Sequence, residues 1–185
     1  DLLAGSWRAA DENEFKFDTA AGQLTVPRSV VTRIVFRNGK LTYLSDLDPE
    51  SVEETPFFGR LMSYRRDQSL DGGPLKLKDK TYAKGLAVHS RSVLSYDLDG
   101  EYETFKATVG FDVSSQGRGR VVCRVLGDGR ELFAEPDLAA TGEPRNVEVS
   151  VASVKQLSLE VDFGEAEDTG DRLLWADARL FRGEK

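Results

Sequence analysis

Between Tyr102 and Asp112 the chain reads Tyr-Glu-Thr-Phe-Lys-Ala-Thr-Val-Gly-Phe-Asp. Every second residue from Phe105 to Phe111 is apolar, which is the period of a β-strand with one buried face. An Asp-Gly pair at residues 99–100 precedes the run and predicts a tight turn from the strand before it. This stretch therefore predicts a half-buried strand that a short turn separates from the strand before it.

Similar alternation recurs along most of the chain. Short apolar runs separated by Gly and Asp turns follow one another from about residue 41 to residue 185, with at most a short helical turn at 50–54. Many short alternating strands are typical of an antiparallel β-sandwich. Residues 1–40 contain four more candidate strands, the last at Val30 to Phe36, and an Asn-Gly hairpin signal at 38–39. We predict an all-β protein: a β-sandwich over 41–185 preceded by a small β meander over 1–40, which is part of a small barrel or a sheet on the main domain.

The composition narrows the classes of function. Of the 185 residues, 39% are hydrophobic and 31% are charged, as in a folded soluble protein, and the formal net charge is −7. An acidic chain whose longest basic run is Arg65-Arg66 is a poor candidate for binding nucleic acid or anionic membranes. No apolar run reaches the length of a membrane-spanning helix. The single cysteine, Cys123, lies in an alternating run and is predicted to be a core residue.

Four other motifs surround the central strand. They are Tyr82-Ala83-Lys84-Gly85-Leu86-Ala87-Val88-His89-Ser90, Gly117-Arg118-Gly119, Val125-Leu126-Gly127-Asp128-Gly129 and Trp175-Ala176-Asp177-Ala178-Arg179-Leu180. In this order the motifs resemble the NPCBM/NEW2 family of carbohydrate-binding modules, and the resemblance covers about residues 41–185. It implies a galactose-binding-type jelly roll that binds galactose-type glycans without catalysis. It also implies part of a larger polypeptide, extracellular or periplasmic in a bacterium.

A β-sandwich that binds sugar normally offers an aromatic ring to the pyranose and planar polar groups to its hydroxyls. Five residues of these types are the candidate ligand-binding set: His89, Asp112, Arg118, Trp175 and Asp177. Three of them have a structural alternative, since Trp175 would also fit a core, His89 would also tie buried loops together, and Asp112 would also cap a turn. We expect the site at one end of the sandwich, where the loops after His89, at 112–119 and at 164–172 approach Trp175.

The chain departs from the resemblance at two positions just before its terminal motif. Arg172 stands where many members have a histidine, and Leu174 stands where they have an aspartate. These changes favour an alternative function, that of a structural or protein-interaction β-sandwich which has lost sugar binding.

The resemblance also implies a candidate structural calcium ion, because modules with this fold often hold one. Calcium takes six to eight oxygen ligands. The densest acidic loop contains Glu165, Glu167, Asp168 and Asp171, and Asp46 with Asp48 is a second candidate. A solvated acidic loop remains the alternative for these carboxylates.

We predict that the protein is not an enzyme. A Ser-His-Asp or Cys-His site would have to use His89, the only histidine in the chain. No Gly-x-Ser-x-Gly motif occurs, and Cys123 is predicted to lie inside a strand.

Overall fold

The computed structural model describes residues 5–31, 40–59, 61–165 and 167–183. The chain divides into two compact units, Asp1–Asn38 and Gly39–Lys185, which we call the N-terminal unit and the main unit. Within the described residues all regular structure is β-strand or short 3₁₀ helix. The prediction of an all-β antiparallel protein is confirmed.

The N-terminal unit contains a three-stranded antiparallel sheet. Its strands are β1 (Ser6–Ala10), β2 (Glu14–Thr19) and β3 (Gly22–Pro27), in that order across the sheet, followed by a 3₁₀ helix at Arg28–Val30. The ring of Trp7 lies 5.8 Å from that of Phe15 and 5.7 Å from that of Phe17, so the aromatic residues cluster together. Most of the predicted fourth strand, 30–36, falls outside the described residues, and the barrel stays a prediction.

The described residues of the main unit form thirteen strands. In chain order they are β4 (Leu41–Tyr43), β5 (Ser51–Glu54), β6 (Arg65–Arg66), β7 (Leu75–Leu77), β8 (Lys80–Tyr82), β9 (Gly85–His89), β10 (Ser92–Asp97), β11 (Tyr102–Phe111), β12 (Arg120–Gly127), β13 (Arg130–Ala139), β14 (Arg145–Ser150), β15 (Gln156–Phe163) and β16 (Arg172–Arg182). Two further 3₁₀ helices span Leu44–Asp46 and Val113–Ser115.

These strands form two large sheets and a hairpin. The five-stranded sheet has the order β13-β12-β15-β10-β5, and the six-stranded sheet has the order β14-β11-β16-β9-β6 with β4 paired to β16. Strands β7 and β8 form a separate two-stranded sheet. All the pairings are antiparallel, and most neighbouring strands in the two large sheets are distant in sequence, as in a jelly roll.

The main core lies between the two large sheets. From β11 it receives Phe105 and Val109, and from β15 it receives Leu157, Leu159 and Val161, all essentially inaccessible to solvent. Both runs alternate with period two, and apolar surface buried in this way contributes about 25 cal/mol per Å². Cys123 is also fully buried here, which confirms the prediction from sequence, and burial raises the pKa of its thiol to about 12.

A second apolar layer covers the outer face of the six-stranded sheet. Leu75 and Leu77 of β7 pack with Ala87 of β9 and with Leu174 and Ala176 of β16. The middle of β9 and of β16 is therefore buried on both faces. His89 at the end of β9 and Arg172 at the start of β16 are only partly buried.

Four details of the strand assignment differ from the sequence prediction. Residues 50–54 contain strand β5 rather than a helical turn, because Ser51–Glu54 pairs with β10 at the edge of its sheet. Strands β6 and β8 are too short to show a period in the sequence. Strand β13 was predicted only over Arg130 to Phe133 but continues to Ala139, because it pairs with β12 as far as Arg120.

Candidate functional site

Three loops meet at one end of the sandwich, as predicted. The hydroxyl of Ser90 donates to the Asp171 carboxylate at 2.6 Å, and the backbone N–H of Arg120 donates to the same carboxylate at 3.0 Å. The N–H of Asp112 donates to the carbonyl of Arg172 at 2.9 Å. These bonds tie the loop after His89 and the segments 112–119 and 164–172 into one cluster.

Two glycines permit the close approach of these loops. Gly119 has φ +119°, and a Cβ there would lie 2.7 Å from the carbonyl oxygen of Gly170. Gly170 has φ +80°, and its Cβ would lie 2.7 Å from the carbonyl oxygen of Arg118. Side chains at these positions would force the backbones apart. At Gly119 the space that a side chain would need is thus taken by a neighbouring loop.

His89 and Arg172 are register partners in the pairing of β9 with β16. His89 is half-buried, and its Nδ1 lies 3.0 Å from the carbonyl oxygen of Ser90. The Arg172 guanidinium pairs with the carboxylate of Asp71 and donates to Ser114 Oγ at 3.3 Å. Arg172, at the family's histidine position, thus carries a positive charge to the surface beside the imidazole.

Two depressions lie on this surface. The first is a narrow crevice beside His89 and Arg91, which has no room for a ligand in this structure. The second is an open cleft of about 280 Å³. Its lining residues are Leu61, Met62, Ser63, Tyr64, Arg65, Leu70 and Asp71. We call it the open cleft; Leu61 and Met62 form the wall that it shares with the crevice.

The open cleft combines apolar and planar polar groups. Leu61, Met62 and Leu70 supply apolar surface, and the latter two belong to the second apolar layer. Arg65 is exposed, and Asp71 links the cleft to Arg172. None of these cleft residues was among the ligand-binding candidates chosen from the sequence. The feature that pointed to them was the long polar segment with aromatic residues at 50–74, but hydrophobic periodicity does not show what such a loop contacts.

Trp175 does not belong to this site. Its side chain is fully buried in the main core, so the prediction that it offers a stacking face to sugar is wrong for this structure. The physical reason is its register: Trp175 pairs with Val109 on β11 and Leu86 on β9, and all three point between the sheets.

The other predicted ligand-binding residues have mixed positions. Asp112 is buried, and its carboxylate accepts from the N–H of Ser114 at 2.8 Å, so it caps the 3₁₀ helix rather than facing solvent. Arg118 is exposed in the loop cluster and donates to Gln116 at 3.1 Å. Asp177 pairs with Arg179 at 2.9 Å, five residues along β16 from Arg172 and therefore about 17 Å away.

The predicted calcium ligands do not converge. The Asp171 carboxylate accepts hydrogen bonds from Ser90 and Arg120. The Asp168 carboxylate accepts from the N–H groups of Phe57 and Phe58 at 2.9 and 3.2 Å. Glu165 is exposed and pairs with Arg120, and Glu167 is exposed. Within residues 5–31, 40–59, 61–165 and 167–183, no three His, Cys, Asp or Glu side chains are grouped as metal ligands.

The carboxylates of the second candidate pair, Asp46 and Asp48, also form ion pairs with basic side chains. Asp46 pairs with Lys84, and Asp48 pairs with Arg66 at 2.7 Å. Calcium binding stays a prediction that this arrangement of carboxylates does not favour.

The comparisons with known proteins agree with the fold and with the sequence motifs. The model of the NPCBM/NEW2 domain matches residues 40–181. The chain belongs to the NPCBM/NEW2 domain family. This confirms the resemblance found in the motifs around His89 and Trp175.

Two solved relatives of this NPCBM/NEW2 domain contain sugars. One is CBM51-2 with the INT domains of Clostridium perfringens ZmpB in complex with GlcNAc, 26% identical with a TM-score of 0.70, covering 91% of this chain and 36% of that one. The other is the CBM51 of Clostridium perfringens GH95 in complex with methyl-galactose, 26% identical with a TM-score of 0.68, covering 76% of this chain and 99% of that one.

A curated relative, the "Putative endo-alpha-N-acetylgalactosaminidase" of Renibacterium salmoninarum, is 32% identical over 110 residues. These residues are 60% of this chain and 7% of that protein. The chain thus spans only a small part of the curated relative that it matches, and about a third of the first solved one.

Proposed function

We propose that this NPCBM/NEW2 domain is a non-catalytic module that binds galactose-type or related glycans, including GlcNAc-terminated ones, in the open cleft. The observation that carries the proposal is the likeness of nearly the whole main unit to a module holding methyl-galactose. The composition of the cleft supports it, since apolar side chains lie beside the guanidinium of Arg65 and the carboxylate of Asp71.

The size of the cleft is consistent with a small ligand. Its volume of about 280 Å³ lies just below the roughly 300–1,000 Å³ found for small-molecule pockets. We therefore expect one sugar ring to be enclosed. Binding through a few planar polar groups would be weak, on the order of millimolar to micromolar.

The arrangement around His89 supports a role without catalysis. Ser90 is next to the histidine, but its hydroxyl donates to Asp171 and the residue is 2% exposed. His89 Nδ1 faces the Ser90 carbonyl oxygen rather than that hydroxyl. A nucleophile activated by the imidazole would require a different geometry.

Titration by NMR with methyl β-galactoside and with GlcNAc tests the proposal. We expect one of them to bind at millimolar concentration or better, and Arg65→Ala to weaken binding about tenfold or more, because a charged hydrogen bond is lost. Arg130→Ala, an exposed arginine at the start of β13, is the matched control and should bind as the wild type does. Absence of binding at tens of millimolar would rule the proposal out.

The same titration separates the open cleft from the crevice. Binding that is lost in His89→Ala and retained in Arg65→Ala would place the sugar at the crevice, which would have to widen.

One observation favours the second candidate, a structural or protein-interaction sandwich. Arg172 is neutralised by Asp71, which lines the open cleft, so a carboxylate that could accept from sugar hydroxyls is already paired. A domain that binds no glycan but retains its fold would support this function.

The likeness to modules of bacterial multidomain proteins supports a place in a larger bacterial polypeptide, outside the cytoplasm. None of the helices in the described part of the chain is long and apolar enough to cross a membrane.

A further inference from the structure

We infer that Phe57 and Phe58 extend the glycan site, providing an aromatic surface for a sugar linked to the one in the open cleft. The inference rests on the proposed function and adds the class of ligand, an oligosaccharide rather than a single sugar.

Both phenylalanines are unusually exposed. The side chains of Phe57 and Phe58 are 52% and 62% accessible, and that of Leu61, on the same loop, is 56% accessible. Exposed apolar patches on soluble domains mark interaction sites or ligand-binding grooves when they are larger than usual.

The loop is held in this position by a buried carboxylate. Asp168 is 7% exposed, and one of its oxygens accepts the N–H groups of both phenylalanines. The ring of Phe57 packs edge-on against Phe163 at 5.5 Å, and Phe58 packs edge-on against Phe57 at 5.0 Å. The rings are thus ordered before any ligand arrives, which lowers the entropic cost of contact.

The crevice links the aromatic pair to the open cleft. Pro56, which immediately precedes the pair, lines the crevice together with Leu61. Leu61 also lines the open cleft. Since that cleft has room for about one ring, an oligosaccharide must leave it across the neighbouring surface, and the loop offers its apolar face there.

The size of the patch favours a sugar over a protein partner. A stable protein interface buries about 800 Å² on each side, far more than three side chains provide. The C–H face of a pyranose needs only one aromatic ring, and aromatic contacts add enough to change affinity by roughly three- to tenfold.

Calorimetry with matched short and long glycans tests the inference. For a domain that binds galactose, methyl β-galactoside is compared with lacto-N-neotetraose, whose terminal sugar is galactose. For one that binds GlcNAc, the methyl glycoside of GlcNAc is compared with tetra-N-acetylchitotetraose. We expect the long ligand to bind the wild type roughly three- to tenfold more tightly.

Variants at Phe58 show whether the ring causes the gain. The ratio of long- to short-ligand affinity should fall towards one in Phe58→Ala and Phe58→Leu and be retained in Phe58→Tyr, which keeps the ring. Phe181→Ala, near the far end of β16, is the control for loss of a phenylalanine and should keep the ratio.

A ratio near one in the wild type, or a ratio unchanged in Phe58→Ala, would overturn the inference while leaving the proposed function in place. If neither the short nor the long glycans bind, the proposed function fails and the inference fails with it.

Discussion

At the scale of single residues, the carboxyl group of Asp171 stands out because it is fully buried at the loop cluster. Burial raises its pKa from 3.8 to about 6, and the charge of Asp168 acts in the same direction, whereas the hydrogen bonds from Ser90 and Arg120 lower it. A buried acid with a raised pKa binds more protons in the folded state than in the unfolded state. Its ionisation therefore destabilises the fold as the pH rises from about 4 to about 6.

Asp171→Asn should remove this pH dependence. The amide oxygen can still accept from the Arg120 N–H, and the amide nitrogen can donate to Ser90 Oγ. In chelator-treated buffer we expect the variant to be more stable than the wild type at pH 7, by up to about 3 kcal/mol, with the difference vanishing near pH 4. Urea unfolding across this range measures it.

The control is Asp79→Asn, which alters an exposed carboxylate in the turn between β7 and β8. It should show no comparable gain. A destabilised Asp171→Asn at pH 7 would mean that the ionised carboxylate is used, as a cation ligand for example.

Trp175 shows where sequence reasoning stops at this scale. Residues 173–176 are all buried, because the main core covers one face of β16 and the second apolar layer covers the other. In a strand buried on both faces the apolar residues no longer alternate. The motif that begins at Trp175 therefore identified the family but did not show which way the indole ring points.

At the scale of elements, substitutions in β11 test whether alternate residues of the strand face the main core. Phe105→Ala should lower the free energy of unfolding by roughly 3–5 kcal/mol, because the phenyl ring is fully buried between the sheets. Its neighbour Lys106 points to the other face and pairs with Glu148 at 2.8 Å. Lys106→Ala should cost under about 1 kcal/mol. Urea unfolding that gave Phe105→Ala a loss below 1 kcal/mol would contradict the assigned core face.

The long alternating strands were predictable from sequence because each has one face in the main core. Strand β5 was not, since Ser-Val-Glu-Glu at 51–54 is an exposed edge whose conformation depends on pairing with β10. The open cleft was not predictable for a similar reason. Its wall comes from an irregular loop, and its position depends on contacts such as that between Asp71 and Arg172.

At the scale of the whole molecule, binding of the predicted calcium ion would change the melting temperature of the protein. If an ion is bound in the 164–171 loop, excess EDTA should lower the melting temperature and added calcium should restore it, because a ligand of the folded state stabilises by mass action. Magnesium at the same concentration is the control. An unchanged melting curve after prolonged chelation would contradict the prediction.

The second apolar layer should slow the exchange of backbone amide protons in the two strands that it covers. Met62 and Leu70, which line the open cleft, belong to the apolar layer over β9 and β16, and the central backbone bonds of these two strands have protein on both sides. Amide protons in such strands exchange with solvent only through large openings, whereas those of an exposed edge exchange through local fraying. Residues 85–88 and 173–176 should therefore be among the slowest to take up deuterium. The apolar layer behind the open cleft would then rest on strands that keep their shape between one binding event and the next.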